Sequence, residues 1–119
     1  VAVRWYDADA HAFGILDVDA ALVATLNAVS VEAVLGRRTG CTIRFVADVA
    51  KVAAAYEEPL SLVWRDAGCL LATLCFAAEW AGLCACPLGF EGQELVGPLG
   101  FSEQRFLATG AVQVGSRSA

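Results

Sequence analysis

The chain has 119 residues, 58% hydrophobic and 18% charged, with eight Lys and Arg against thirteen Asp and Glu for a net charge of −5. That length accommodates one hydrophobic core and excludes two, and an apolar fraction above the roughly 45–50% of ordinary soluble domains excludes disorder. The acidic balance, with no basic cluster beyond Arg37-Arg38, excludes a nucleic-acid surface, because such a chain repels phosphate backbones. So much apolar surface on a short chain implies that some of it is reserved for a second subunit or a further segment. The longest uncharged run, Ala67 to Ala78, stops at Glu79, short of the roughly 18–20 residues of a spanning helix, so no membrane contact is expected.

Val1 to Tyr6 alternates in the manner of a strand, Asp7-Ala8-Asp9 turns, and His11 to Leu16 is expected to pair back as a hairpin. Asp17-Val18-Asp19 offers N-cap oxygens to a helix over about 20–29. Gly36 to Gly40 is a loop, and Cys41, Ile43 and Phe45 alternate with Thr42 and Arg44 as a strand. A helix is expected over 48–56, after which Pro59 breaks the chain. Asp66 then caps a helix from Ala67 to Trp80, apolar on nearly every side and hence expected to be central and buried, with Gly82 as its left-handed stop. Leu83 to Leu88 is extended, because Pro87 forces Cys86 out of the helical region. Gly89-Phe90-Glu91-Gly92 and Gly97-Pro98-Leu99-Gly100 are turns around one short helical turn at 93–96. Phe106 to Val114 is a closing strand with Phe106, Ala108, Gly110, Val112 and Val114 on one face. The whole is a single α+β domain over 1–119, a sheet with a buried helix behind it.

Several chemistries are excluded by spacing. Cys84-Ala85-Cys86 is too closely spaced for a structural zinc site, and the one histidine, His11, is remote, so no metal is expected. The same remoteness removes a Cys/His nucleophile pair. The glycines form isolated Gly-x-x-Gly pairs rather than a dinucleotide fingerprint, and Glu91 makes the first of them electrostatically wrong for clamping RNA. Five cysteines, with Cys69, Cys75 and Cys84 in apolar sequence as small buried hydrophobes, suit a reducing cytoplasm. No leader pattern is visible. The chain starts at Val1 and contains no Met, which leads to the expectation of a piece of something longer. What remains is an apolar helix followed by an extension that composition alone favours as an ordinary turn after a core helix. The alternative is a ligand wall whose glycine lets backbone approach a flat ring while Leu88 and Phe90 supply apolar sides.

In chain order, Trp64-Arg65-Asp66-Ala67-Gly68, the run from Leu74 to Leu83, Cys86-Pro87-Leu88-Gly89-Phe90 and Ala111-Val112-Gln113-Val114-Gly115 resemble the C-terminal half of the nitroreductase-like flavoproteins. Within that family the likeness is to the SagB-type dehydrogenases, which oxidise thiazolines and oxazolines in modified peptides. Arg4-Trp5-Tyr6-Asp7 and His11-Ala12-Phe13 resemble that branch's aromatic strand and histidine turn. The resemblance implies a nitroreductase-like α+β fold, a mixed sheet flanked by helices, dimeric, with FMN at the subunit interface. It further implies an FMN-dependent oxidoreductase that passes hydride through flavin N5, with Pro87, Leu88 and Gly89 presenting backbone donors to the ring. Its substrate would be a small molecule or a modified peptide.

The departures from the family pattern are specific. The Lys-Tyr acid/base pair corresponds here to Ala55-Tyr56, leaving Tyr56 as the sole proton-transfer candidate. Gly68-Cys69 stands where Gly-His is usual, and Ala72-Thr73 where a polar pair is usual. No segment resembling the family's Arg- and Ser-rich FMN-phosphate site precedes Val1, so Arg117 is the remaining phosphate candidate. These departures support two alternatives: a catalytically degenerate nitroreductase-fold scaffold or peptide-binding domain paired with an active partner, and a carrier of apolar ligands.

Overall fold

A computed structural model describes residues 2–117. Val1, placed above in the first strand, and Ser118 and Ala119 of the tail lie outside the described residues. The α+β class is found, as two small antiparallel sheets with three α-helices.

The expected hairpin is β1, Arg4–Asp7, paired antiparallel with β2, Ala12–Ile15. Its turn is set by Asp7, whose Oδ1 accepts from the amides of Asp9 and Ala10 at 3.0 and 3.2 Å. Helix α1, Ala20–Leu35, begins where Asp19 accepts from the Leu22 amide at 3.0 Å and ends at left-handed Gly36. It is longer than its sequence indicates: Ser30 and Glu32 do not interrupt it, since Val31 and Leu35 continue the buried stripe. β3, Cys41–Asp48, leads into α2, which is only Val49–Ala53 with Asp48 as its cap, so Tyr56 falls beyond the helix.

The long helix α3 runs Pro59–Trp80 and corrects two expectations. Pro59 starts it instead of ending what precedes it, because proline's fixed φ and missing N–H suit a first helical turn; Asp66 lies in the helix interior. Nor is α3 buried all round. Val63 and Ala78 are its buried residues, whereas Phe76 is 77% and Trp80 94% exposed. By length and composition α3, with a mean hydropathy of 1.4 over its most apolar window, could cross a bilayer; here its inner side packs on the sheet. Gly82, at φ +72°, turns the chain into β4, Leu83–Leu88.

β4 and β3 flank β5, Phe106–Ser116, in the order β3-β5-β4, fully antiparallel and not mixed. Between β4 and β5 the chain passes through a 3-10 turn, Gln93–Leu95, whose Leu95 and Val96 are among the most deeply buried side chains. Gln93 pins that turn to β5, accepting from the Ala108 amide at 2.8 Å and donating to the Phe106 carbonyl. The strict alternation expected along β5 fails at one point. Phe45 pairs with Gly110 and Val46 with Ala108, so Thr109 is an extra residue, and Gly110 takes φ +141° to absorb it. Ala108 and Ala111 are consequently both buried.

Register assigns the two sheet faces. Thr42, Gln113 and Cys86 share one face with Arg44, Ala111 and Leu88, and α1 covers it through Val31 and Leu35. Ile43, Val112 and Pro87 share the other with Phe45, and α3 crosses that side.

Candidate functional site

Where β4 runs out into the Gly89–Gly92 turn, the inner side of α3 stands off the sheet and leaves an open cleft of about 310 Å³. Leu88, Gly89 and Phe90 form one side and Trp64, Gly68 and Leu71 of α3 the other, with Phe45 and the Thr109-Gly110 bulge between them. Glycine on each side leaves bare backbone: a Cβ built on Gly68 or Gly89 would meet nothing within 4 Å. The cleft is open and lined largely by aromatic and aliphatic residues, at the lower end of the roughly 300–1,000 Å³ usual for small-molecule sites. Glu91 is the charged group on its lining, and no cationic side chain lines it.

Of the residues singled out in the sequence, Leu88 and Gly89 line this cleft, while Pro87 sits one position back in β4 opposite Val112. Tyr56 is exposed in the turn between α2 and α3 and is not part of the lining. Arg117 is committed elsewhere: its Nη2 donates to Glu79 Oε2 at 2.5 Å, a pairing that raises the guanidinium pKa further and ties the chain after β5 to the end of α3. The cysteines do not behave as buried hydrophobes. All five are free, and only Cys75 is even half-buried. No cluster of three metal-ligating side chains occurs among the described residues.

Behind the cleft wall lies a polar core that the sequence reading missed. Arg44 Nε donates to Asn27 Oδ1 at 2.9 Å, Asn27 Nδ2 to Thr42 Oγ1 at 2.7 Å, Thr42 Oγ1 to Gln113 Oε1 at 2.6 Å, and Gln113 Nε2 to the Thr39 carbonyl at 2.7 Å. Every member of this relay hands a proton donor onward, an arrangement in which each bond polarises the next. The Arg44 guanidinium lies 5.0 Å from the Phe90 ring centroid and 3.8 Å from Glu94, and its side chain is only 11% exposed. Burial lowers its pKa, with Glu94 partly opposing the shift. Nη1 and Nη2 are buried and find no acceptor among the described residues. The available signal was the period-two placement of Thr42 and Arg44 on the same strand face as the apolar Leu88 and Ala111, but which face is covered cannot be read from one strand.

No protein-family model, no curated protein and no solved structure matches the chain.

Proposed function

We propose that the chain is one half of an FMN-type oxidoreductase site, in which the cleft beside α3 holds the flat ring system and a second copy of the chain covers it. The observation that carries this reading is the cleft itself, whose lining joins bare backbone at Gly68 and Gly89 with Trp64 and Phe90. The residues fit the ring portion of a flavin and not its phosphate: the lining is apolar with one carboxylate, and Arg117, the phosphate candidate, is paired with Glu79. The grip on a phosphate therefore has to come from outside this chain's cleft.

Surface area supports the second copy. The chain exposes 7886 Å², about 1,750 Å² above the roughly 6,100 Å² that size scaling gives a folded monomer of this mass. Closing an excess of that size on each protomer matches the obligate homodimer class, whose interfaces bury about 2,000–5,000 Å² in total. Five free cysteines support a reducing compartment. A second reading, a binding or scaffold domain without catalysis, is favoured by the position of Tyr56: it lies outside the cleft, and with it the one proton-transfer candidate of the chain.

Fluorescence titration with riboflavin and FMN tests the proposal. Both ligands should be quenched with affinities within about threefold of each other, since phosphate adds no contact here; a difference of that size is under 1 kcal/mol. Gly68→Leu fills the open cleft and improves helix propensity, so it should abolish quenching while the protein stays folded. Absence of quenching by either ligand, or retention of both in Gly68→Leu, would remove the flavin reading from this cleft.

A further inference from the structure

The geometry points to Arg44 as the residue that positions the Leu88–Gly92 wall of the cleft, an inference that rests on the cleft being the binding site proposed above. Three contacts carry it. The guanidinium lies over the ring of Phe90, a residue that lines the cleft and packs on the small core of Val31, Leu88 and Ala111. Its Nη1 lies against Gly92, where an added Cβ would clash with it, so left-handed Gly92, at φ +91°, suits both the turn and the arginine. Its Nε is fixed by Asn27 at the head of the relay to the Thr39 carbonyl. The turn that ends the cleft wall is thereby referenced to α1 and to the centre of the sheet, and not merely to its own backbone.

The energetics distinguish this from ordinary packing. The two buried terminal nitrogens of Arg44 have no acceptor among the described residues and burden the fold, whereas its Nε satisfies Asn27 Oδ1, so an apolar replacement of similar length relieves one cost and creates another. Groups retained against the local rules of packing are expected where a site needs them. The position therefore separates two quantities that a core residue would move together: overall stability and the order of the 89–96 segment.

The experiment compares the intact chain with Arg44→Met, Arg44→Lys and Arg44→Ala by hydrogen exchange without ligand, alongside thermal melting and riboflavin titration. Arg44→Met should change the melting temperature little, relief of the buried charge offsetting the lost donor to Asn27, yet speed amide exchange across 89–96 about tenfold, with exchange in α3 and β5 unaltered. Arg44→Lys, which keeps charge but not the planar fork, should recover only part of the protection. Gly92→Ala should loosen the same segment, and less so in the Arg44→Ala background, where the clash is gone. Uniform loosening of the whole chain, or unchanged exchange at 89–96, overturns the inference. Riboflavin affinity should fall about tenfold in Arg44→Met. If the unaltered chain binds no riboflavin while the exchange pattern holds, the cleft reading fails and the positioning role of Arg44 stands; if riboflavin binds and exchange is unmoved, the reverse applies.

Discussion

The two sides of the central sheet are finished to different degrees. Toward α1 the space is sealed by Val31 and Leu35 over Leu88 and Ala111, with a continuous relay from Arg44 to Thr39 beside them. Toward α3 the helix is longer, yet it leaves a cleft against the sheet and turns Phe76 and Trp80 outward. Apolar composition alone thus does not decide burial. Gln113 is buried and Asn27 and Thr42 half-buried because each has a partner, whereas the outward rings of α3 have none among the described residues. The open cleft lies on the side that the fold leaves incomplete, and the proposed positioning of its wall by Arg44 comes from the other side.

Matched truncations break or sharpen this contrast most directly. Val31, 1% exposed, should cost about 2 kcal/mol as Val31→Ala, the transfer free energy of a buried side chain of that size. Phe76→Ala and Trp80→Ala should stay within about 0.5 kcal/mol in urea denaturation at dilutions where sedimentation shows a monomer. At higher concentration the same two variants should shift the association equilibrium toward monomer. If Phe76→Ala costs as much as Val31→Ala in the dilute monomer, the outer face of α3 is covered by the chain itself and the contrast is lost.

The sequence made some of this legible. Asp19 before α1, Gly82 after α3 and the turn residues around 89–100 mark boundaries because each acts through local backbone chemistry, and those boundaries are found, whereas the end of α1 lies at Gly36 and not near Val29. The start of α3 was misplaced because Pro59 is equally a helix breaker and a first-turn residue, and only the chain's path tells which. Its burial was misjudged because a helix apolar all round has no periodic signal to name the covered side. The bulge at Thr109 depends on register with Phe45, sixty-odd positions away in the chain, and is invisible to alternation. For the site, Leu88 and Gly89 were readable from the Pro-Leu-Gly-Phe extension. Arg44 was not, since its role exists only once α1 and the Gly92 turn meet over β3.

Helix starts give a smaller test of the same contrast. Asp19 caps α1 with a side-chain bond, but Glu58 before α3 makes none. Asp19→Ala should cost about 1 kcal/mol, and Glu58→Ala within about 0.5 kcal/mol, both by chemical denaturation. Equal costs would mean that α3 is anchored at its start by something other than Pro59 and packing.

Charge supplies the smallest effect and separates the two sides by pH. The relay from Asn27 to Thr39 is built of amides and hydroxyls that do not titrate in acid, whereas at the far end of β3 Asp48 accepts from Arg105 Nε and Nη2 at 2.9 and 2.7 Å and caps α2 through the Lys51 amide. The Arg105 hydrogen bonds are the largest cause of a lowered Asp48 pKa, so the folded chain holds this carboxylate ionised more strongly than the unfolded chain does. The sign follows from linkage. Its contribution is complete above the unfolded carboxylate value of about 3.9 and is lost as pH falls through the lower folded value. Asp48→Asn should therefore lower stability at neutral pH slightly and flatten the acid limb below about pH 4, where it converges with the unaltered chain. Because the pair is solvent-exposed, the neutral-pH difference should also shrink in molar salt. An acid limb that keeps its full steepness in Asp48→Asn would remove the Asp48–Arg105 pair as the source of acid sensitivity and with it the pH distinction between the α2 end of the sheet and the side covered by α1.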